Sequence, residues 1–187
     1  MYKPVPGRES DEELAARAGR DRQAFLVLYD RYVGHISRYV AARTLSSDVE
    51  DLVSDTFLRA LARIDSYRAD RGAFGAWLFT IARNAATDHY RGSNRVLVSE
   101  PPDALCSRPG PETLAVVNET RAQIRAALRN LPADQRDAVL MRYIAGLPYV
   151  QVGQALGRSE AAAKMLVKRG LRSLQRYFQE QPNVGSQ

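Results

Sequence analysis

Residues 146–174 read GLPYVQVGQALGRSEAAAKMLVKRGLRSL and have the pattern of two helices joined by a tight turn. Gly157 can adopt the left-handed conformation that such a turn requires. Ser159 is a favourable N-cap, because its hydroxyl can accept a hydrogen bond from a free N–H group of the next helix. The positions predicted to face inward are Leu147, Val152, Ala155 and Leu156 on the first helix and Ala163, Val167, Leu171 and Leu174 on the second. This pattern predicts a helix-turn-helix, whose second helix lies in the major groove of DNA.

The second helix of this motif is strongly basic. Residues 158–176 include six basic side chains and one acidic side chain, Glu160. Basic side chains that contact phosphates supply most of the non-specific affinity for DNA, whereas bases are read by side chains near the start of the helix. Lys164, Met165 and Lys168 occupy such positions. The alternative is a solvated basic face on a packing helix, but the glycine turn and the serine cap in register favour DNA binding.

Helical periodicity covers almost the whole chain and predicts an all-α fold. Apolar residues recur every three or four positions over 25–39, 49–64 and 74–85, and again from Leu114 onward. Residues 92–113 interrupt this pattern with four of the nine prolines and two glycines, which disfavour helix. We therefore predict two small helical domains joined by a flexible linker. The predicted bounds are 1–92 for the first domain, 93–112 for the Pro-rich linker, 113–180 for the second domain and 181–187 for a disordered tail.

The composition of the 187 residues excludes several classes of protein. The single cysteine, Cys106, rules out an internal disulfide framework. The N-terminus lacks the apolar core of a signal peptide, and no apolar run approaches the ~20 residues of a membrane span. Two histidines on separate helices and one cysteine are too few for a zinc site or a catalytic cluster. We expect a cytoplasmic protein without cofactor or metal, and its net charge of +6 is compatible with a nucleic-acid partner.

The N-terminal half carries a second pattern, DVEDLVSDTFLRALARIDSYRADRGAFGAWLFTIARNAATDHYR, at residues 48–91. An acidic amphipathic helix comes first. A loop and a helix that mix aromatic with basic side chains follow it. Single-stranded nucleic acid is bound in this way, because bases stack on aromatic rings while arginines follow the phosphates.

With these motifs the sequence resembles the bacterial RNA polymerase sigma factors of the extracytoplasmic-function (ECF) group. The matching segments are VEDLVSDTFLRAL, WLFTIARNAATDHYR, LPADQRDAVLMRY and the 146–174 motif, in the order found in the family. The resemblance implies a region 2 helical bundle and a region 4 helix-turn-helix domain around the linker. It also implies a non-catalytic subunit that directs core polymerase to promoters in a stress or envelope response, under the control of an anti-sigma factor.

The resemblance assigns residues to three surfaces. It implies that the clamp coiled coil of core polymerase docks on Asp51, Leu52, Ser54, Asp55, Phe57 and Leu58, with Leu52 and Phe57 at least half in the core, and that the second domain meets the polymerase flap. It implies that the melted minus-ten element is read by Tyr67, Arg68, Arg71, Trp77, Arg83, Asn84 and Arg91, where Trp77 is either a core anchor or a melting residue. It implies that the double-stranded minus-thirty-five element is bound by Arg158, Ser159, Lys164, Met165, Lys168 and Arg169.

Three departures from the family pattern concern these surfaces. Ser54 replaces a glutamine, Ala162 and Ala163 replace a Thr-Val pair, and Leu166 replaces a frequent arginine. We therefore expect the minus-thirty-five base preference, or the contacts to DNA phosphates, to differ from those of other family members. Two rival functions are a stand-alone helix-turn-helix regulator, with an N-terminal half that senses a ligand or dimerises, and a helical enzyme. The order of the acidic and aromatic-basic helices disfavours the first, and the lack of a catalytic cluster disfavours the second.

Overall fold

A computed structural model describes residues 9–44, 48–93, 120 and 122–180, and within these ranges the chain is helical without a strand, which confirms the all-α prediction. The helices of the first group are α1 (Asp11–Ala18), α2 (Arg22–Arg43), α3 (Val49–Ala62) and α4 (Phe74–Ser93), with 3-10 turns at Ile64–Ser66 and Ala69–Arg71. Those of the second group are α5 (122–129), α6 (Ala133–Val139), α7 (Tyr149–Leu156) and α8 (Glu160–Glu180), with a π turn at Leu140–Ile144.

The first domain, α1 to α4, is built around α2. Ile36 and Tyr39 of α2 are completely buried, and the Tyr39 ring packs edge-on against Phe79 of α4. A capping box starts α1: the Ser10 hydroxyl accepts from the Glu13 amide, and the Glu13 carboxylate accepts from the Ser10 amide. One acidic residue of this first turn, Asp11, is buried and binds Arg31 and Tyr32.

In the second domain, α5 to α8, a proline and a glycine lie at helix ends. Pro132 immediately precedes α6, and Gly146 takes a φ of 77° after the π turn. One inward prediction is wrong: Leu171 is 40% exposed. Gly170 takes the buried position instead, because α6 approaches α8 so closely there that a Cβ on Gly170 would lie 2.7 Å from Val139 Cγ2.

The two domains pack against each other in the described part of the chain. Helix α7 lies on α4, the π turn lies on α2, and the buried apolar residues form one continuous core. His35 Nδ1 donates to the Ala145 carbonyl oxygen at 2.8 Å, and the Ala73 amide donates to Gln154 Oε1 at 3.3 Å. The helix-turn-helix is therefore anchored on the first domain.

Helix α4 continues to Ser93, the first residue of the predicted linker. The rest of that linker, together with Cys106 and the predicted tail 181–187, lies outside the described residues. In the described ranges, no helix combines the length and the apolar character that spanning a membrane would require.

Candidate nucleic-acid interface

The turn between α7 and α8 has the geometry that its sequence predicts. Gly157 adopts the left-handed conformation, with φ 63° and ψ 37°. The Arg158 amide donates to the Gly153 carbonyl oxygen at 2.8 Å, which closes the turn. The Ser159 hydroxyl accepts from the Ala162 amide at 3.2 Å, so the predicted N-cap of α8 is confirmed.

Gly153 allows α7 to approach this turn closely. A Cβ at Gly153 would lie 2.8 Å from the Arg158 carbonyl oxygen and 3.1 Å from the Ser159 carbonyl oxygen, both of which are backbone atoms. Only a residue without a side chain fits this contact without a shift of one helix. The close packing of α7 on the turn fixes where the first residues of α8 point.

The N-terminal half of α8 presents one exposed face. Lys164, Met165 and Lys168 are exposed, while Ala163 and Val167 face the core. The Lys164 ammonium lies 2.7 Å from the carboxylate of Glu160 and 5.8 Å from the centre of the Tyr149 ring. These contacts hold the lysine on the outer surface, and an exposed ion pair of this kind contributes little to stability.

The departures in α8 have a packing explanation. Ala163 is completely buried, and Leu166 packs partly against the core. Neither residue therefore belongs to the most exposed strip of the helix. Ala162 is half-buried, and its amide is the group that binds the Ser159 cap.

The aromatic side chains before and in α4 form a cluster. Tyr67 is only 7% exposed, and its hydroxyl donates to the Gly72 carbonyl oxygen at 3.0 Å. Its ring centre lies 5.6 Å from the ring centres of both Phe74 and Trp77. Trp77 is half-buried against the core. The cluster is thus mainly structural, and the indole is its most accessible ring.

The basic and polar residues of the predicted minus-ten set occupy three environments. Arg68, Arg71 and Asn84 are exposed, and Arg68 donates to the Asp65 and Tyr67 carbonyl oxygens. Arg83 is partly buried and is engaged by the second domain, as described below. Arg91 belongs to α4, but its side chain lies outside the described residues.

Comparison with known proteins decides the family. The Sigma-70 region 2 model matches residues 28–96, and the Sigma-70 region 4 model matches residues 121–174. The chain is 36% identical over 180 residues to the ECF RNA polymerase sigma factor BldN of Streptomyces coelicolor, covering 91% of this chain and 68% of that protein. The chain belongs to the ECF RNA polymerase sigma factors.

Further relatives agree with this assignment. The ECF sigma-E factor of Salmonella typhimurium is 30% identical over 155 residues, which cover 76% of this chain and 81% of that protein. Among solved structures, CnrH in complex with the cytosolic domain of CnrY has a TM-score of 0.72 at 24% identity and covers 93% of this chain and 100% of that one. RpoE in complex with the anti-sigma factor NepR from Bartonella quintana has a TM-score of 0.65 at 24% identity, over 86% of this chain and 99% of that one. These two likenesses show the fold.

In this sigma factor, the residues of α3 that are predicted for polymerase docking differ in their exposure. Leu52 and Phe57 are 4% and 6% exposed and belong to the core. Leu58 is 66% exposed. The polar members are accessible to different degrees: Asp51 and Ser54 are exposed, whereas Asp55 is half-buried and pairs with Arg59 at 2.8 Å. Of the residues predicted for docking, Asp51, Ser54, Asp55 and Leu58 are therefore the accessible ones.

Sequence reasoning missed the ion-pair cluster that joins the two domains of this sigma factor. Asp137 of α6 has no exposed surface. Its carboxylate lies 2.6 Å from Arg43 Nε, an ion pair without the alignment of a hydrogen bond. It accepts hydrogen bonds from Arg83 Nε at 2.9 Å and from the Tyr39 hydroxyl at 3.2 Å. Asp134 adds a second ion pair to Arg83, at 2.7 Å. We call these five residues the interdomain cluster.

The electrostatics of the interdomain cluster follow from its burial. Burial raises the pKa of the Tyr39 phenol, and the nearby Asp137 carboxylate raises it further. Partial burial disfavours the charge on Arg83, but the hydrogen bond and the charge of Asp137 outweigh it and raise the pKa of Arg83. No signal in the sequence marks Asp137, because an acidic residue on a short amphipathic helix is ordinarily solvated.

Tyr67→Phe tests whether the Tyr67 phenol is structural. Burial raises the pKa of Tyr67 from 10 to about 12, so the folded protein keeps this proton better than the unfolded chain. The contribution of the protonated Tyr67 phenol to the free energy of unfolding is complete below pH 10 and is lost as pH rises through about 12. Between these values the free energy of unfolding should fall less steeply for Tyr67→Phe than for the wild type, as measured by urea unfolding. Tyr143→Phe, at a 56% exposed position, is the control and should follow the wild type.

Proposed function

We propose that this sigma factor directs core RNA polymerase to promoters by reading the two promoter elements with separate helices, and that it has no catalytic role of its own. The observation that carries the proposal is the geometry of helix α8. This helix is capped by Ser159, one of its sides is buried, and its exposed face presents Lys164, Met165 and Lys168. A helix of this kind enters the major groove with its N-terminal residues toward the base edges.

Reading of the minus-thirty-five element is assigned to that face. Lys164 and Lys168 can donate to guanine O6 and N7, while the apolar Met165 can contact a thymine methyl group. Arg158 and Arg169 are both exposed and flank the readers, so they are suited to phosphate contacts.

Reading of the minus-ten element is assigned to the start of α4 and the loop before it. Arg68, Arg71 and Asn84 are exposed around the aromatic cluster. Cations and amides near an accessible ring can bind a base that has left the duplex, since stacking and edge hydrogen bonds offset the few kcal/mol of unstacking. The half-buried Trp77 offers the ring edge, whereas Tyr67 acts through the packing of the cluster.

Docking on core polymerase is assigned to the exposed residues of α3, with Leu58 at the centre. The second domain is proposed to meet the polymerase flap. Because polymerase is cytoplasmic, we place the protein there, in a stress or envelope response. The solved relatives bound to CnrY and NepR support control of this chain by an anti-sigma factor.

Run-off transcription with purified core polymerase tests the proposal as a whole. We expect promoter-specific transcripts only when the sigma factor and core polymerase are both present. A protein that binds DNA but neither binds core polymerase nor yields a transcript would be a stand-alone regulator, and the proposal would be wrong.

Lys164→Ala and Lys168→Ala should alter the preference for particular minus-thirty-five bases. Each lost base contact is worth about 1–3 kcal/mol, or roughly 5- to 150-fold in affinity, on the correct sequence. The measurement is binding to a panel of duplexes with single base changes. Arg172→Ala, at an exposed basic position further along α8, is the matched control and should weaken all duplexes alike. Uniform weakening by the lysine variants too would mean that they contact only phosphates.

A further inference from the structure

Tyr149, the first residue of α7, contacts two basic side chains of the second domain. Its ring centre lies 5.8 Å from the Lys164 ammonium of α8. The same ring centre lies 4.7 Å from the guanidinium carbon of Arg142, which belongs to the π turn. The ring thus connects the lysine that is proposed to read bases with a residue that precedes the helix-turn-helix.

Arg142 fixes the position of this ring. Its Nη1 atom donates to the Leu147 carbonyl oxygen at 3.1 Å, so the side chain crosses the loop between the π turn and α7. Arg142 Nε is buried, and within the described part of the chain it meets no hydrogen-bond acceptor. A buried polar group without such a partner is costly, and the electron-rich face of Tyr149 is the compensating contact. Tyr149 also packs partly against the core, so the ring is in place before DNA is bound.

Lys164 is the flexible member of this arrangement. Its side chain is 55% exposed, and fixing a long lysine side chain on a base edge costs conformational entropy. The ring attracts the charge of the ammonium without accepting a particular N–H, which leaves donors for guanine O6 and N7. Because the ammonium is held near the groove-facing surface beforehand, Lys164 loses less freedom when it binds a base.

We propose that Tyr149 is a positioning residue for minus-thirty-five recognition: its ring, held by Arg142, orients the Lys164 ammonium toward the base edges in the major groove. The inference rests on the proposed base reading by Lys164. It gives the first helix of the motif a share in base preference that acts through Lys164. A wrong base offers the ammonium no acceptor, so ordering of the lysine matters only on the correct sequence. Loss of the ring should therefore weaken the correct duplex selectively.

Tyr149→Leu tests the inference, because it removes the ring and keeps an apolar side chain against the core. Binding is measured on the panel of duplexes with single base changes in the minus-thirty-five element. At the base pair where Lys164→Ala changes the preference, Tyr149→Leu should lower the discrimination by about two- to fivefold, the value of an exposed cation–π contact. In the Lys164→Ala background it should cause no further change in preference, since both residues act through one contact.

Two matched variants separate the ring from the rest of the tyrosine. Tyr149→Phe keeps the ring and should retain the wild-type base preference. Tyr143→Leu removes a tyrosine at a 56% exposed position of the neighbouring π turn, and it should leave the preference unchanged. A merely structural role of Tyr149 would instead affect all duplexes alike.

Each other outcome contradicts the inference. An unchanged preference in Tyr149→Leu, beside a position-specific effect of Lys164→Ala, overturns the inference and leaves the proposed base reading intact. Equal weakening of all duplexes by Tyr149→Leu and Tyr149→Phe means that the hydroxyl contacts a phosphate and that the ring does not orient the lysine. Uniform weakening by Lys164→Ala contradicts the proposed reading by Lys164, and the inference with it.

A nuclear magnetic resonance measurement on the wild-type chain covers the case in which Tyr149→Leu loses its helical circular dichroism. Nuclear Overhauser contacts should join the ring protons of Tyr149 to the methylene protons beside the Lys164 ammonium, and Lys164→Ala assigns these signals. We expect the contacts in the free protein and again after a minus-thirty-five duplex is added. Their absence in either state would overturn the inference.

Discussion

Replacing Leu58 by aspartate is expected to lower the affinity of this sigma factor for core polymerase by about thirtyfold or more. Leu58 is 66% exposed on α3, beside the exposed Asp51 and Ser54 and near the 42% exposed Leu61. An exposed leucine among polar residues is a candidate anchor, and truncation of a residue that acts as an interface hot spot costs about 2 kcal/mol or more. The introduced carboxylate adds a desolvation penalty on docking. The affinity can be measured by biolayer interferometry with immobilised core polymerase.

The fold should survive this change, because the Leu58 side chain contributes little to the hydrophobic core. The thermal unfolding midpoint of Leu58→Asp should stay close to that of the wild type. Met165→Asp is the matched control: Met165 is 45% exposed on α8 and is proposed to face DNA. It should leave polymerase affinity unchanged while it weakens minus-thirty-five binding. Equal polymerase affinities for Leu58→Asp and the wild type would show that α3 is not the docking helix.

The features that the sequence predicts best are local. The left-handed turn at Gly157 and the cap at Ser159 depend on residues within a few positions of each other, and both are confirmed. The buried faces of α2, α3 and α4 follow from helical periodicity. These predictions succeed because backbone preference and capping act along the chain, so the information needed for them lies within one short window.

The features that the sequence could not predict depend on long-range contacts. Asp137 binds Tyr39 and Arg83, which are 98 and 54 positions away, and its own helix gives no sign of either partner. Leu171 was misassigned because the close approach of α6 gives Gly170 the inner position. The arrangement of the two domains could not be predicted for the same reason. It is determined by side chains from α2, α4 and α6 that meet only in the folded protein.

The largest loss of stability in the second domain is expected from Gly153→Ala. The added Cβ would lie 2.8 Å from the Arg158 carbonyl oxygen and 3.1 Å from the Ser159 carbonyl carbon, atoms of a turn that is already closed by the Arg158–Gly153 hydrogen bond. Since neither backbone can rotate away as a side chain would, α7 and the start of α8 must separate. Overpacking of this kind costs about 1–3 kcal/mol or more, which outweighs the gain of about 1 kcal/mol that alanine brings inside a helix.

Gly34→Ala separates the steric effect of an added Cβ from the helix preference of alanine. At Gly34, within α2 and exposed, the nearest atom to an added Cβ is Arg38 Nη1 at 3.8 Å, an ordinary contact. Only the helix preference then operates, so this variant should be as stable as the wild type or more stable by up to about 1 kcal/mol in urea unfolding. Gly153→Ala should in addition lose binding to a minus-thirty-five duplex, because the separation displaces Lys164 and Lys168 from their common face. If it keeps both stability and binding, the position of the recognition helix does not depend on the close packing of α7 against the turn.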